Sequence, residues 1–273
     1  MTRRHIFFDV GGDRCVATLD NAQGTTGLLI VSGGNEIRSG AHGGQAAMAQ
    51  TFAERGHHVL RYDRRGIGDS EGDNGGFGNS ADDIAAAAAL FRRANPALTR
   101  IVAFGNCDAA SALCLYHAGQ FDALILANPW VFDPEVESIS GASEAPATPS
   151  AAAIRARYWA RIKNPRSIID LLTGKIDLAK FLRGLTKAAV KEDTPLLAKR
   201  MGGALAEAAM PVHIMLAARD GTALAFKAAW NDAAFDIARG RVTLSSIDSA
   251  SHSFAGDDAQ SWLFAKIAAI LSA

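Results

Sequence analysis

The stretch Arg100-Ile101-Val102-Ala103-Phe104-Gly105-Asn106-Cys107-Asp108-Ala109-Ala110-Ser111 constrains this chain more than any other. Ile101 to Phe104 have the pattern of a strand buried on both faces, and the alanine-rich run Ala109 to Ala118 has helical composition, with almost no turn residues between. A strand that enters a helix through so short a bend presents one side chain, Cys107, at its apex. Gly105-x-Cys107-x-Ala109 is a variant of Gly-x-Ser-x-Gly, in which small residues two before and two after the apex permit a strained turn carrying a nucleophile. A thiol at that place feels the positive end of the helix dipole, which favours thiolate. Asp108, one residue on, opposes that charge, so nucleophilic chemistry requires a histidine partner. Without one, Cys107 is a small buried hydrophobe, as most free cysteines are.

The rest of the chain supplies the alternation that such a bend needs. Ile6 to Asp9 and Cys15 to Asp20 flank Gly11-Gly12-Asp13 and predict an antiparallel hairpin. Strands are then expected at Gly27 to Val31, His58 to Tyr62, Ala123 to Ala127, Val212 to Ala217 and Val242 to Ile247. Helices are expected at Gln45 to Arg55, Ala81 to Ala94 and Thr222 to Ala238, with a last one ending at Leu271. Strand and helix in turn predict an α/β fold with a mostly parallel central sheet and helices on both faces. Ser138 to Ala153 has linker composition, and the fifty or so residues beyond it hold helical segments and no convincing strand. Residues 1–130 and 210–273 are therefore read as the core and 131–209 as a helical cap or lid.

On such a sheet an acyl-transfer triad comes in chain order nucleophile, acid, histidine, each after a strand. Cys107, Asp220 and His252 meet both conditions. His252 would take the thiol proton, Asp220 would hold the imidazole tautomer, and Cys107 would form the acyl-enzyme. The oxyanion would be held by the Asp108 N–H and by a second amide after the strand ending at Val31, from Gly34 or Asn35. Gly68-Asp69-Ser70-Glu71-Gly72 matches the serine motif letter for letter but has neither the strand before it nor the helix after it, so Ser70 is rejected. Asp133 and Asp248 are weaker candidates for the acid.

Tyr62-Asp63-Arg64-Arg65-Gly66-Ile67-Gly68-Asp69-Ser70, the elbow, Ala218-Arg219-Asp220 and Ser251-His252 together resemble an α/β-hydrolase across essentially the whole chain. More narrowly, Ser32-Gly33-Gly34-Asn35 with Arg38 and His42, the run from Gly105 to Ser111, and Asn128-Pro129-Trp130 resemble the exosortase A system-associated hydrolases, first type. That resemblance implies a setting in bacterial exopolysaccharide and sorted-surface-protein gene clusters. The cysteine elbow is also similar to that of dienelactone hydrolases, from whose smaller fold the helical insertion departs.

The 273 residues carry 28 Lys plus Arg and 28 Asp plus Glu, so overall charge favours neither nucleic acid nor membrane as a partner. Between Ala151 and Arg200, however, twelve Lys or Arg face four Asp or Glu, leaving the remainder acidic. Lys180, Arg183, Lys187 and Lys191 recur at helical spacing on one face. Two readings stand: a solvated face docking on an acidic core, or a basic lid that draws in an anionic acyl donor or polysaccharide or touches a membrane surface. Tyr158, Trp159 and Phe181 are expected either to line an acyl pocket beneath it or to form the lid's own core.

Three cysteines in a long chain argue against a disulfide framework and for a reducing compartment, and no apolar run approaches a signal-peptide core or a membrane span of about 20 residues. A cytoplasmic protein is expected. Neither metal-ligand spacing nor a phosphate-binding glycine motif is present, so no cofactor is expected. The sequence thus predicts an ester or thioester hydrolase acting on a small-molecule acyl substrate. A carbon-carbon or lactone hydrolase on the same triad and a non-catalytic hydrolase-like scaffold remain the alternatives.

Overall fold

A computed structural model describes residues 1–117, 119–133 and 194–273. Tyr158, Trp159, Phe181 and the basic helix face lie outside the described residues.

The first hairpin pairs β1 (Thr2–Val10) with β2 (Asp13–Asn21), longer at both ends than the turn signal alone implies. β3 (Thr26–Val31) leads to α1 (Gly44–Glu54), β4 (His58–Tyr62) to α2 (Ala81–Ala94), and β5 (Arg100–Asn106) directly to α3 (Asp108–Tyr116). β6 (Ala123–Ala127) is followed, past the undescribed segment, by α4 (Leu196–Glu207). β7 (Val212–Ala217) then runs into α5 (Gly221–Trp230), the short α6 (Asp236–Arg239), β8 (Thr243–Ile247) and α7 (Asp257–Ser272).

The eight strands form one sheet in the order β1-β2-β4-β3-β5-β6-β7-β8. β2 pairs antiparallel with both β1 and β4, while β3 to β8 run parallel to one another. Alternation along the strands divides the core. Leu29, Val31, Ala103, Leu124 and Ile214 face one layer with α2, α3 and α4, and Leu28, Ile30, Val102, Ile125 and Met215 face the other with α1 and α7. Burial on both faces is why these strands read as unbroken apolar runs.

Two sequence expectations change. The helix expected from Thr222 to Ala238 is broken after Trp230, because Asp232 turns its carboxylate back to the Ala234 N–H at 2.9 Å and begins a new turn. The expected cap contains α4, whose Leu197, Ala198, Met201 and Leu205 are buried in the main core. At least that helix belongs to the body of the fold: its first N–H groups, from Leu196 and Leu197, donate to Asp133 at 2.9 and 2.7 Å.

Candidate active site

Cys107 is the N-cap of α3, with φ 62° and ψ −128°. Such a strained positive-φ conformation costs a non-glycine residue about 1–3 kcal/mol and persists where the surroundings over-determine it. Here they do: the Cys107 N–H donates to the Ala127 carbonyl at 3.0 Å, and the Cys107 carbonyl accepts from Ala110 at 3.1 Å and Trp130 at 3.2 Å. Gly105 has to be glycine, since a Cβ there would lie 2.7 Å from the Ala109 carbonyl carbon and 2.8 Å from its oxygen, preventing α3 from closing on β5. Ala109, fully buried, fills the matching position on the helix.

Asp220 caps α5, its Oδ2 accepting from Thr222 at 3.1 Å and Ala223 at 3.0 Å. The same oxygen lies 3.0 Å from Nδ1 of His252, in the loop between β8 and α7. Burial opposes ionisation of Asp220, but the hydrogen bond and charge of His252, with the two cap amides, outweigh it and hold the carboxyl below its ordinary range. The same bond, followed by one with the Cys107 side chain, pushes the His252 imidazolium up to about 10 against the opposing effect of burial. Both directions describe one Asp220–His252 ion pair.

Cys107 and His252 open on a cavity of about 190 Å³. Met48, Phe104, Phe254, Leu263 and Phe264 supply its apolar wall, while Glu36, Gln45 and Gln260 supply polar groups. The other thiols sit elsewhere: Cys15 and Cys114 are buried, and burial pushes Cys114 up to about 12, which leaves it inert.

Of the oxyanion candidates, Gly34 lines this cavity, whereas Asp108 and Asn35 are not among its lining residues. Asp108 starts α3, and its side chain reaches back to the β3 loop, where Oδ1 accepts the Gly34 N–H at 2.6 Å. Gly33 allows that approach, because a Cβ there would lie 2.6 Å from the same oxygen. The Gly34 amide is therefore directed at a carboxylate in this arrangement. Asn35 is exposed, and its side-chain carbonyl accepts from Asn74 at 2.9 Å.

The rejected residues have structural partners. Ser70 donates its hydroxyl to the Asp63 carbonyl at 2.8 Å and accepts the Val16 N–H at 2.9 Å, stitching its loop to β2. Asp133 caps α4, and Asp248 is an exposed partner of Arg219 at 2.7 Å. The sequence reading assigned no role to Asn128, whose side chain bonds the His252 loop, nor to the cavity wall around Phe254 and Phe264. An asparagine directly after a buried strand was the available signal for the first.

A strand-to-helix bend carrying Cys107 after β5, Asp220 after β7 and His252 after β8, on a mostly parallel eight-stranded sheet, have the arrangement of an α/β-hydrolase. The chain belongs to the hydrolase family described as serine aminopeptidase, S33, whose model matches residues 26–252. Where that description names a serine enzyme, the elbow here carries cysteine. No curated protein matches the sequence significantly. Among solved structures, an esterase from Pyrococcus furiosus superposes with a TM-score of 0.66 at 13% identity, covering 99% of this chain and 92% of that one. Est1E from Butyrivibrio proteoclasticus, with ferulic acid bound, gives 0.62 at 16% identity over 97% of each chain. The thioesterase domain from the curacin biosynthetic pathway gives 0.56 at 12% identity over 100% of each. These likenesses establish the shared fold. Among the described residues, no cluster of three His, Cys, Asp or Glu is placed to hold a metal ion, and no helix is long and apolar enough to cross a membrane.

Proposed function

We propose that this protein hydrolyses an ester or thioester through an acyl-enzyme on Cys107. The observation that carries the reading is His252, ion-paired to Asp220 at 3.0 Å and lining the same apolar-walled cavity as Cys107. The imidazole that Asp220 holds at 3.0 Å takes the thiol proton as the sulfur becomes the nucleophile. Sγ attacks the acyl carbon, the bond to the leaving oxygen or sulfur breaks, and His252 gives that atom its proton. Water then attacks the thioester, His252 accepts its proton, and the acid leaves as Sγ is regenerated. The developing oxyanion meets the Asp108 N–H at the start of α3 and, while the Gly34 amide is held by the Asp108 carboxylate, the exposed Asn35 N–H.

An esterase-type activity agrees with the relatives' names, and free thiols agree with a reducing, cytoplasmic setting. The sequence resemblance to exosortase-associated hydrolases extends the reading to an acyl substrate of exopolysaccharide metabolism, and acylated glycans belong in the test panel. The test is hydrolysis of short- to long-chain acyl esters, thioesters and acylated glycans by wild type, Cys107→Ala and Ser70→Ala, with mass analysis of the Cys107 peptide. Loss of turnover in Cys107→Ala with retention in Ser70→Ala, and an acyl adduct on Cys107 in wild type, is the expected result. Full turnover in Cys107→Ala refutes it. A second reading, a hydrolase-like scaffold, is favoured by the Asp108 carboxylate on the Gly34 amide; a thiol whose alkylation ignores His252, with no turnover on the panel, would support that one.

A further inference from the structure

Asn128 follows β6 and is fully buried, yet it has φ 40°, a left-handed conformation for a residue with a side chain. Its backbone N–H donates to Met215 of β7 at 2.9 Å. Its side chain is fully engaged. Oδ1 accepts the Ala217 N–H at 2.8 Å, and Nδ2 donates to the His252 carbonyl at 2.9 Å and, at 3.4 Å, to Oδ1 of Asn106. Ala217 stands three residues before Asp220, and Asn106 immediately before Cys107. One carboxamide therefore touches the segments that deliver the nucleophile, the acid and the histidine. The neighbours Ala127 and Trp130 grip the Cys107 backbone from the same strand end.

We propose that Asn128 is a positioning residue that sets the His252 loop in register with Cys107 and Asp220; this rests on the Cys107–His252 reading above. Asparagine suits the position for two separate reasons. It tolerates the left-handed region better than other residues with side chains, and it supplies an acceptor and two donors from one small planar group. Aspartate keeps the shape but turns the donor end into an acceptor facing two oxygens. Glycine keeps the backbone conformation and removes all three side-chain bonds.

The experiment compares wild type, Asn128→Gly, Asn128→Asp and His252→Ala in three readouts: kcat and KM on the best ester or thioester, the pH profile of Cys107 alkylation by iodoacetamide, and thermal unfolding. Asn128→Gly is expected to unfold cooperatively and keep KM within about twofold. Its kcat is expected to fall on the order of a hundredfold, as an ångström-scale misplacement costs, and its alkylation profile to move toward that of His252→Ala. Asn128→Asp should move in the same direction, so the result does not depend on one variant folding. A lower melting temperature with kcat and alkylation profile unchanged in either folded variant overturns the proposal, leaving Asn128 a packing residue. If alkylation does not respond to His252→Ala either, the underlying Cys107–His252 reading fails; a response to His252→Ala without one to the Asn128 variants sinks the positioning role alone.

Discussion

Replacing Asp220 by Asn removes the carboxylate whose hydrogen bond most raises the His252 imidazolium while leaving a side chain of the same shape at the start of α5. The Asp220–His252 contact is a charge-assisted hydrogen bond at 3.0 Å, worth about 1.5–3 kcal/mol where buried. The His252 side chain is 40% exposed, so solvent screening places the effect at the lower part of that range, on the order of 1–2 kcal/mol. At about 1.4 kcal/mol per pH unit, the imidazolium should titrate roughly one unit lower in Asp220→Asn than in wild type. The assay is a pH titration of the His252 ring by nitrogen NMR on labelled protein, with the wild-type midpoint expected near its raised value of about 10. A wild-type midpoint at the ordinary 6.5, or no change on substitution, refutes the ion pair.

The stability consequence has a definite sign at each end. A raised imidazolium stabilises the fold fully below pH 6.5, and that contribution is lost as pH rises through about 10. A depressed carboxyl stabilises it above its ordinary 3.8, and that contribution is lost as pH falls through the lower folded value. The melting temperature of Asp220→Asn should therefore differ most from wild type between these limits. Its kcat should fall by about a hundredfold or more as tautomer control is lost.

Asp108→Asn retains an acceptor for the Gly34 amide and removes a negative charge one residue from the sulfur; alkylation of Cys107 near neutral pH should speed up by roughly threefold to tenfold, and a slower rate would show that the carboxylate supports the nucleophile. Reversing Lys180, Arg183 and Lys187 to Glu tests whether the basic segment favours anionic substrates. KM should rise for anionic acyl substrates alone, and an equal rise for neutral esters would remove that role.

The buried run Ile101 to Phe104 and the alanines after Cys107 make the β5–α3 bend readable, because strand burial, helix composition and the glycine that admits the turn are all local. The strand ends leading to Asp220 and His252 are readable for the same reason, and so is the structural fate of Ser70, which lacks both flanking elements. The list of elements, the residues at their ends and the chain order of the candidate triad are thus local properties of the chain. Only the tertiary structure decides what meets. The Gly34–Asp108 bond joins positions 74 residues apart, Ala217 and Asn128 are separated by 89, and Asn128 and His252 by 124. Such contacts follow from the order in which the strands lie side by side, and periodicity along a chain carries no record of that order. The same holds for α4, whose amphipathic pattern states that one face is buried but not that Met201 and Leu205 bury it in the main core rather than in a lid.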